Sequence, residues 1–521
     1  MLDPRKNPID SDPIEHLRGF NSELVIGLVG AVGCDINRII EILQNEITRT
    51  SYNSKVIKIS RDVIPQFGTV EFNKNDPADR INKMMTAGNR AREKSNDNSV
   101  LALGASAWIS NSRVKVGEPN LNSVYIIDSL KRPEEVKRLR DIYPAGFVLI
   151  GVHADEERRS DSLKQLDISS EDASKLIKRD GDEKYVEHGQ RLKNTFFLSD
   201  FFIRIDGNND RLKSEVRRII ELLFANPFQT PSFDEHAMYL AFASALRSAD
   251  LSRQVGAVIA KNDQILATGA NDSPKAGGGL YWPIRDKYGR LVDVPDGRDY
   301  KRGYDSNKSE QRQMVETIIE QLTNYVQANS KEGLSAEEYR SILLSKTSPI
   351  SDLTEFGRVV HAEMDAITSC SRSGIPITGA TLYSTTFPCH NCAKHIVASG
   401  ITRVVYIEPY EKSKAKDFHQ DSIVFGSHEN ADDERVLFEP FMGIGPRKYF
   451  DLFSMNLSTG DDIVRKNKRT GANEEWDPHT ASPRVKMLPS TYLELELEAA
   501  NLFEKKLISK EQEGTSDEEI E

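Results

Sequence analysis

The strongest chemical signal in the 521-residue chain is His361-Ala-Glu363, followed by Pro388-Cys389-His-Asn-Cys392. One imidazole and two thiolates make three protein ligands. That is the number a catalytic zinc takes when its fourth position stays open for water. A structural zinc takes four, and the other two cysteines, Cys34 and Cys370, read as ordinary buried thiols. His390 and His395 could complete a four-ligand set, but neither would explain His361-x-Glu363. Cys389 and Cys392 are spaced to face the same way on one helical turn. Pro388 suits the first turn of that helix, whose positive end favours thiolates. His361 should open a second helix, with Glu363 beside the metal, placed to carry protons.

The bulk composition narrows the setting. Lys and Arg number 69 against 80 Asp and Glu, a formal charge of −11 that argues against broad nucleic-acid binding. No apolar run approaches the roughly 18 residues of a membrane helix, and Met1–Arg18 is polar. Four cysteines in so long a chain do not make a disulfide scaffold, so a reducing, cytoplasmic location is expected. The length leaves room for two to four domains at roughly 100–200 residues each.

The elements that would position these residues fall into two regions. In the first, Leu24–Val29 is a strand that runs through Gly30-Ala-Val-Gly33 into a helix over Asn37–Ile47. Strands are expected at Val56–Ile59, Val124–Ile127, Phe147–Val152 and Phe202–Ile205, with helices at Asp79–Glu93 and Pro133–Asp141. Alternation of this kind predicts an α/β fold with a mostly parallel sheet over residues 1–225. Residues 226–232 read as a linker. The second domain, 233–500, should open with a helix over Asp234–Arg247. A hairpin follows, Val255–Ala260 and Gln264–Thr268, turning at Lys261-Asn262-Asp263. A polar insertion covers 275–351, with a helix around Gln311–Ala328. Then come a helix from His361, a strand at Ala380–Ser384, a helix from Cys389 and a strand at Val404–Ile407. The charged tail, 501–521, is expected to be disordered.

Several segments resemble the deoxycytidylate deaminase family: Val255-Gly-Ala-Val-Ile259, Thr268-Gly-Ala-Asn-Asp-Ser-Pro274, His361-Ala-Glu-Met-Asp-Ala-Ile367 and Leu382-Tyr-Ser-Thr-Thr-Phe-Pro-Cys-His-Asn-Cys392. The resemblance covers Phe233–Phe453 apart from the insertion. It implies a cytidine deaminase-like three-layer αβα domain with a mixed five-stranded sheet. It also implies one zinc per chain on His361, Cys389 and Cys392, since the cysteines for a second, structural zinc are missing. By the same resemblance, zinc-activated water attacks C4 of the pyrimidine. Glu363 accepts its proton and delivers it to N3, then carries a second proton to the leaving ammonia. Asn271 would meet the sugar hydroxyl and Arg253 the phosphate, while Thr385, Thr386 and Phe387 line the base pocket. Tyr406 and Tyr410 lie in a segment where the family often carries tyrosines. The family commonly forms hexamers and often responds to deoxynucleoside triphosphates, here a regulatory nucleotide such as dTTP.

Gly30, Gly33, Cys34 and Asp35 resemble a P-loop in which Leu28 stands for the first glycine, Cys34 for the lysine and Asp35 for the hydroxyl residue. With Asp128-Ser-Leu-Lys-Arg-Pro-Glu-Glu-Val and Arg158-Arg159, the first region is similar to nucleotide kinases. Lacking the Lys and Ser/Thr roles, it reads as regulatory rather than phosphotransferring. A kinase-like domain ahead of a deaminase resembles the bacterial antiviral deoxycytidylate deaminases. That implies action on dCMP or dCTP and restraint by an inhibitory RNA. Two other readings compete, a single-strand nucleic-acid deaminase and a nucleotide- or RNA-sensing protein with a vestigial site. The acidic balance opposes the first, and the intact ligands oppose the second.

Overall fold

The computed structural model describes residues 22–115, 117–182, 188–328, 333–345, 348, 350, 353, 356–408, 410, 413–426, 433–487 and 489–508. The chain divides into two compact units, one drawn from Met1–Glu235 and Met442–Glu521, the other His236–Phe441.

In the first unit, β1 (Leu24–Gly30) turns into α1 (Ile36–Ile47). There follow β2 (Asn53–Lys58), α2 (Pro77–Ser95), α3 (Val100–Asn111), β3 (Ser123–Asp128), α4 (Pro133–Ile142) and β4 (Phe147–His153). Then come α5 (Glu156–Lys164), α6 (Ser170–Asp182), α7 (Leu192–Phe196), β5 (Phe201–Arg204) and α8 (Asn209–Leu223). The strands lie parallel in the order β2–β3–β1–β4–β5, as the alternation predicts. Val25, Val29, Tyr125, Ile127 and Leu149 enter one core, while Leu24, Ile26, Leu28, Val124, Ile126, Val148 and Ile150 enter the other. Burial of both faces is why these strands read as continuous apolar runs. Helix α3 was not among the expected elements. It is apolar on nearly every side, because it is buried almost throughout, and so carries no helical stripe.

The second unit takes up α9 (Phe233–Ala245), β6 (Gly256–Lys261), β7 (Gln264–Ala270), β8 (Ile284–Arg285), β9 (Leu291–Val292), α10 (Asp299–Arg302), α11 (Ser306–Ala328) and α12 (Ala336–Leu343). It continues with α13 (Ala362–Arg372), β10 (Thr381–Thr386), α14 (His390–Ala398), β11 (Arg403–Glu408), α15 (Ala415–Phe418), β12 (Ile423–Phe425) and β13 (Val436–Pro440). Its sheet runs β7–β6–β10–β11–β13–β12, antiparallel up to β10 and parallel beyond it. The expected hairpin is present, with Asn262 and Asp263 both at positive φ, the geometry of a tight two-residue turn. The sheet has six strands rather than the expected five, because the three-residue β12 adds an edge beside β13.

Helices cover both faces of this sheet. Ala257, Ile259, Leu382 and Val404 pack with Ala362 and Ala366 of α13 and Ala393 and Ile396 of α14. Gly256 points the other way, where an added Cβ would lie 1.9 Å from Ala241 O of α9. On Gly269 a Cβ would lie 2.1 Å from Ala362 O. Both helices therefore approach the sheet more closely than any side chain allows. The insertion is folded among its described residues. It holds β8, β9 and α10–α12, with Gln311, Val315 and Ile319 buried.

The chain then returns to the first unit through β14 (Gly443–Ile444), α16 (Pro446–Phe453) and α17 (Pro489–Ile508), and β14 pairs antiparallel with β5. Tyr492, Ala499 and Phe503 of α17 enter the core beside α3. Arg113, after α3, bridges Glu496 of α17 at 2.7 Å and Glu23 at 2.8 Å, all three side chains about 1% exposed. The expected second domain of 233–500 therefore ends at 441, because the segment after it buries its apolar residues in the first unit. The expected disordered tail is likewise helical through Ile508, and its remainder, 509–521, lies outside the described residues. Among the described residues, no helix is long and apolar enough to cross a membrane.

Candidate functional site

Two helix starts bring the ligand set together. His361 is the N-cap of α13 and Cys389 the N-cap of α14, both with extended backbone. Cys392 lies in the first turn of α14, and its N–H donates to Cys389 Sγ at 3.4 Å. Pro388 therefore precedes the cap instead of occupying the first turn, since Cys389 takes the capping place. His361 Nδ1 lies 3.3 Å from Cys389 Sγ and 3.4 Å from Cys392 Sγ. The three donor atoms lie within 4.8 Å of one another. Two thiols and an imidazole this close suit a zinc ion with one position left open.

The local electrostatics fit the same use. A hydrogen bond from Cys392, then His361 beside it, hold the Cys389 thiol down at about 4. Cys392, hydrogen-bonded to Cys389 and buried, is pushed up. His361 is raised to about 9 by its hydrogen bond to Cys389. A cation at the centre would take the place of those protons. Glu363, in the first turn of α13, is 4% exposed, with Oε2 3.6 Å from Cys392 Sγ. Burial pushes its carboxyl up to about 7, against the pull of His361. A carboxyl with that affinity can both take and return a proton near neutral pH.

A cavity of about 220 Å³ opens on this cluster, lined by His361, Glu363 and Cys389. Of the other residues expected here, Asn271, Arg253, Thr386 and Phe387 line it. Thr385 does not. Its position on β10 turns it away from the cavity, where its Oγ1 accepts from Gly256 N at 3.1 Å. Asn271 sits in the wall with its amide committed to the backbone: Oδ1 accepts from Val255 N at 2.7 Å and Nδ2 donates to Arg253 O at 2.9 Å. It holds the Arg253–Val255 segment in shape. Arg253 is exposed, its guanidinium 5.4 Å from the Tyr410 ring centroid. Phe387 meets the Tyr406 ring edge-on at 4.9 Å.

Residues that no motif marks complete the wall. Asp299, Asp305, Ser306 and Asn307 come from the insertion, and Arg358 follows it. Arg358 donates to Asp299 Oδ1 at 3.0 Å, Ser273 Oγ at 3.3 Å and Gly297 O at 3.0 Å. No local motif marks these residues, because distant loops meet there.

In the first unit, the four residues of the glycine loop are spent on the fold. Asp35 caps α1, accepting from Arg38 N at 3.1 Å. Cys34 Sγ lies 3.7 Å from Val152 O, and burial pushes its thiol up. Gly33 has φ +86°, and a Cβ there would meet Arg159 O at 2.5 Å. On Gly30 a Cβ would meet Ile36 Cδ1 at 2.7 Å. These close approaches account for both glycines without a ligand.

The family described as the cytidine and deoxycytidylate deaminase zinc-binding region matches residues 231–408. The deoxycytidylate deaminase of Enterobacteria phage T2 is 34% identical over 181 residues, covering 34% of this chain and 80% of the phage protein. The phage T4 counterpart is 32% identical over 177 residues, covering 34% and 78%. Among solved structures, the dCMP deaminase of cyanophage S-TIM5, in complex with dCMP and dUMP, matches with 20% identity and a TM-score of 0.22. The match covers 41% of this chain and 99% of that one.

Proposed function

The chain belongs to the deoxycytidylate deaminase family, and from that premise we propose that its His236–Phe441 unit hydrolyses the 4-amino group of a free deoxycytidine nucleotide. The observation that carries the reading is Glu363. It is a buried carboxyl raised to about 7, set against a His361, Cys389 and Cys392 cluster at the floor of a cavity.

The three donors would hold zinc, which when bound supplies the Lewis acidity that brings a water proton into the range of a carboxylate. Glu363 takes that proton as the water oxygen bonds to C4 and passes it to N3. As the C4–N bond breaks, it delivers a second proton to the leaving amine. Ammonia and a uracil base are the products, with no change in oxidation state. Phe387 offers an apolar wall for the base, and Thr386 a hydroxyl beside it. Asn271 shapes the segment that presents Arg253. Arg253, exposed at the mouth, is the cation for the substrate phosphate.

The finer reading covers dCTP as well as dCMP, and depletion of the DNA precursor pool in defence against phage. It rests on the resemblance of the first unit's glycine turn to a P-loop ahead of a deaminase, and the parallel β2–β3–β1–β4–β5 sheet of that unit supports it. A regulatory nucleotide such as dTTP, a hexameric assembly and an inhibitory RNA belong to the same reading. The deciding experiment is a substrate panel of dCMP, dCTP, CMP and deoxycytidine with the zinc-loaded protein, with and without dTTP, following release of ammonia. Turnover of dCMP or dCTP is expected. No turnover of any of the four would overturn the proposal, as would faster deamination of single-stranded oligonucleotides.

A further inference from the structure

The turn from β1 into α1 has the form of an anion receptor, with a glycine at positive φ and backbone N–H groups ahead of a helix. In this chain the receptor has an occupant. Val32 N–H donates at 2.8 Å to Oδ2 of Asp180, which arrives from α6, and the Asp180 side chain is 1% exposed. Two cations complete the setting. Lys131 Nζ stands 3.7 Å from Asp180 Oδ1, and Arg159 Nη2 stands 3.9 Å from Oδ2. Both are anchored to the loop itself, Lys131 Nζ donating to Gly30 O at 2.8 Å and Arg159 Nε to Val32 O at 2.8 Å. A backbone amide and two cations around one buried anion are the parts of a phosphate site.

The fit of this occupant is incomplete. Asp180 Oδ1 is buried without a hydrogen-bond partner, and neither cation reaches the carboxylate at hydrogen-bond distance. A buried carboxylate with one oxygen unsatisfied is a costly arrangement. A phosphate monoester brings three acceptor oxygens on a larger tetrahedral group, so it could reach the amide and both cations together. Beside the loop lies a cavity of about 200 Å³. Val32, Lys131, Asp128 and Ser129 border it, and Met84 and Leu101 give it apolar walls. There is room next to the anion position for the rest of an ester.

We propose that the Gly30–Gly33 loop is an anion site that the chain fills with its own Asp180, and that a phosphate ester enters only by displacing this carboxylate. Because Asp180 belongs to α6, displacement frees the end of that helix from the β1 turn. Occupancy of the loop is thereby coupled to the α6 region.

The test uses the full chain and inorganic pyrophosphate as the probe, with binding measured by calorimetry. Asp180→Asn keeps the shape and removes the competing charge. It should bind pyrophosphate at least tenfold more tightly than the unaltered protein, and adding Lys131→Met should erase the gain. Equal affinity of Asp180→Asn and the unaltered protein, or binding by neither, overturns the proposal. If Asp180→Asn does not fold, hydrogen exchange over Ser170–Asp182 in the unaltered protein decides the matter. Faster exchange as pyrophosphate is added supports displacement, and unchanged exchange at saturating probe overturns it. None of these readouts passes through deamination, so failure here leaves the proposed activity of the other unit untouched.

Discussion

Each unit sets polar groups at the start of a helix, yet the two use them in opposite ways. In the second unit, His361 and Cys389 cap α13 and α14, and their donor atoms converge with Cys392 on one small volume beside a cavity. In the first, Asp35 caps α1 by a bond to Arg38 N, Cys34 packs toward Val152 O, and the amide of Val32 is taken by Asp180. One cluster keeps bonding capacity for a ligand, and the other spends it inside the chain. Residue type and position at a helix start do not by themselves make a site. What matters is whether the fold has already satisfied the groups.

That contrast can be broken in four places. Cys392→Ala removes a donor from the metal cluster. Metal affinity should fall by more than roughly 100-fold, exceeding the loss from removing a mere supporting partner. Turnover should go with it, as read by metal analysis after dialysis alongside ammonia release. Glu363→Gln should cut kcat by about 10²–10⁴-fold, the worth of a general acid–base group, while zinc stays at about one per chain. Loss of zinc together with activity would instead make Glu363 part of the metal cluster. Arg253→Ala removes a charged hydrogen bond worth about 1.5–3 kcal/mol, so KM for dCMP should rise roughly tenfold or more. KM for deoxycytidine, which lacks the phosphate, should not move. An equal rise for both substrates would assign Arg253 to the shape of the loop. The smallest effect is expected in the first unit. Asp35→Ala should cost about 1 kcal/mol of stability through the lost cap, seen as a small fall in Tm, with turnover unchanged. A large loss of turnover would show that the loop does more than hold α1.

How much of this was legible in the sequence follows from the range of each signal. The strands β1, β3 and β4 and the helices α1, α2 and α4 stand close to where the runs of apolar residues and the helix-start signals put them, since those signals depend on near neighbours. The metal cluster was legible for a related reason. Cys389 and Cys392 are the N-cap and third residue of one helix start, and His361 and Glu363 the N-cap and second residue of another, so both pairs are set by local backbone. Thr385 and Thr386 fall on opposite sides of β10, so Thr386 lines the cavity while the Thr385 hydroxyl accepts from Gly256 N. The resemblance places Asn271 at the sugar hydroxyl; that its amide also bonds to Val255 and Arg253 was not legible, because the β6 and β7 pairing brings them beside it.

The sequence by itself determined the chemistry on offer: an imidazole, two thiols and a carboxyl at spacings two helix starts can converge, and a glycine turn after a buried strand. It could do so because those features are local, written within one or two helical turns. Only the tertiary structure decided what each is free to bind. It brought Asp299, Asp305 and Asn307 of the insertion to the cavity wall, and returned α17 to the first unit through Arg113 and Glu496. It also seated Asp180 on Val32, from 148 residues away. The physical reason is that a polar group's remaining valence depends on every partner the packed chain brings to it. Those partners arrive from positions too distant for any local pattern to record.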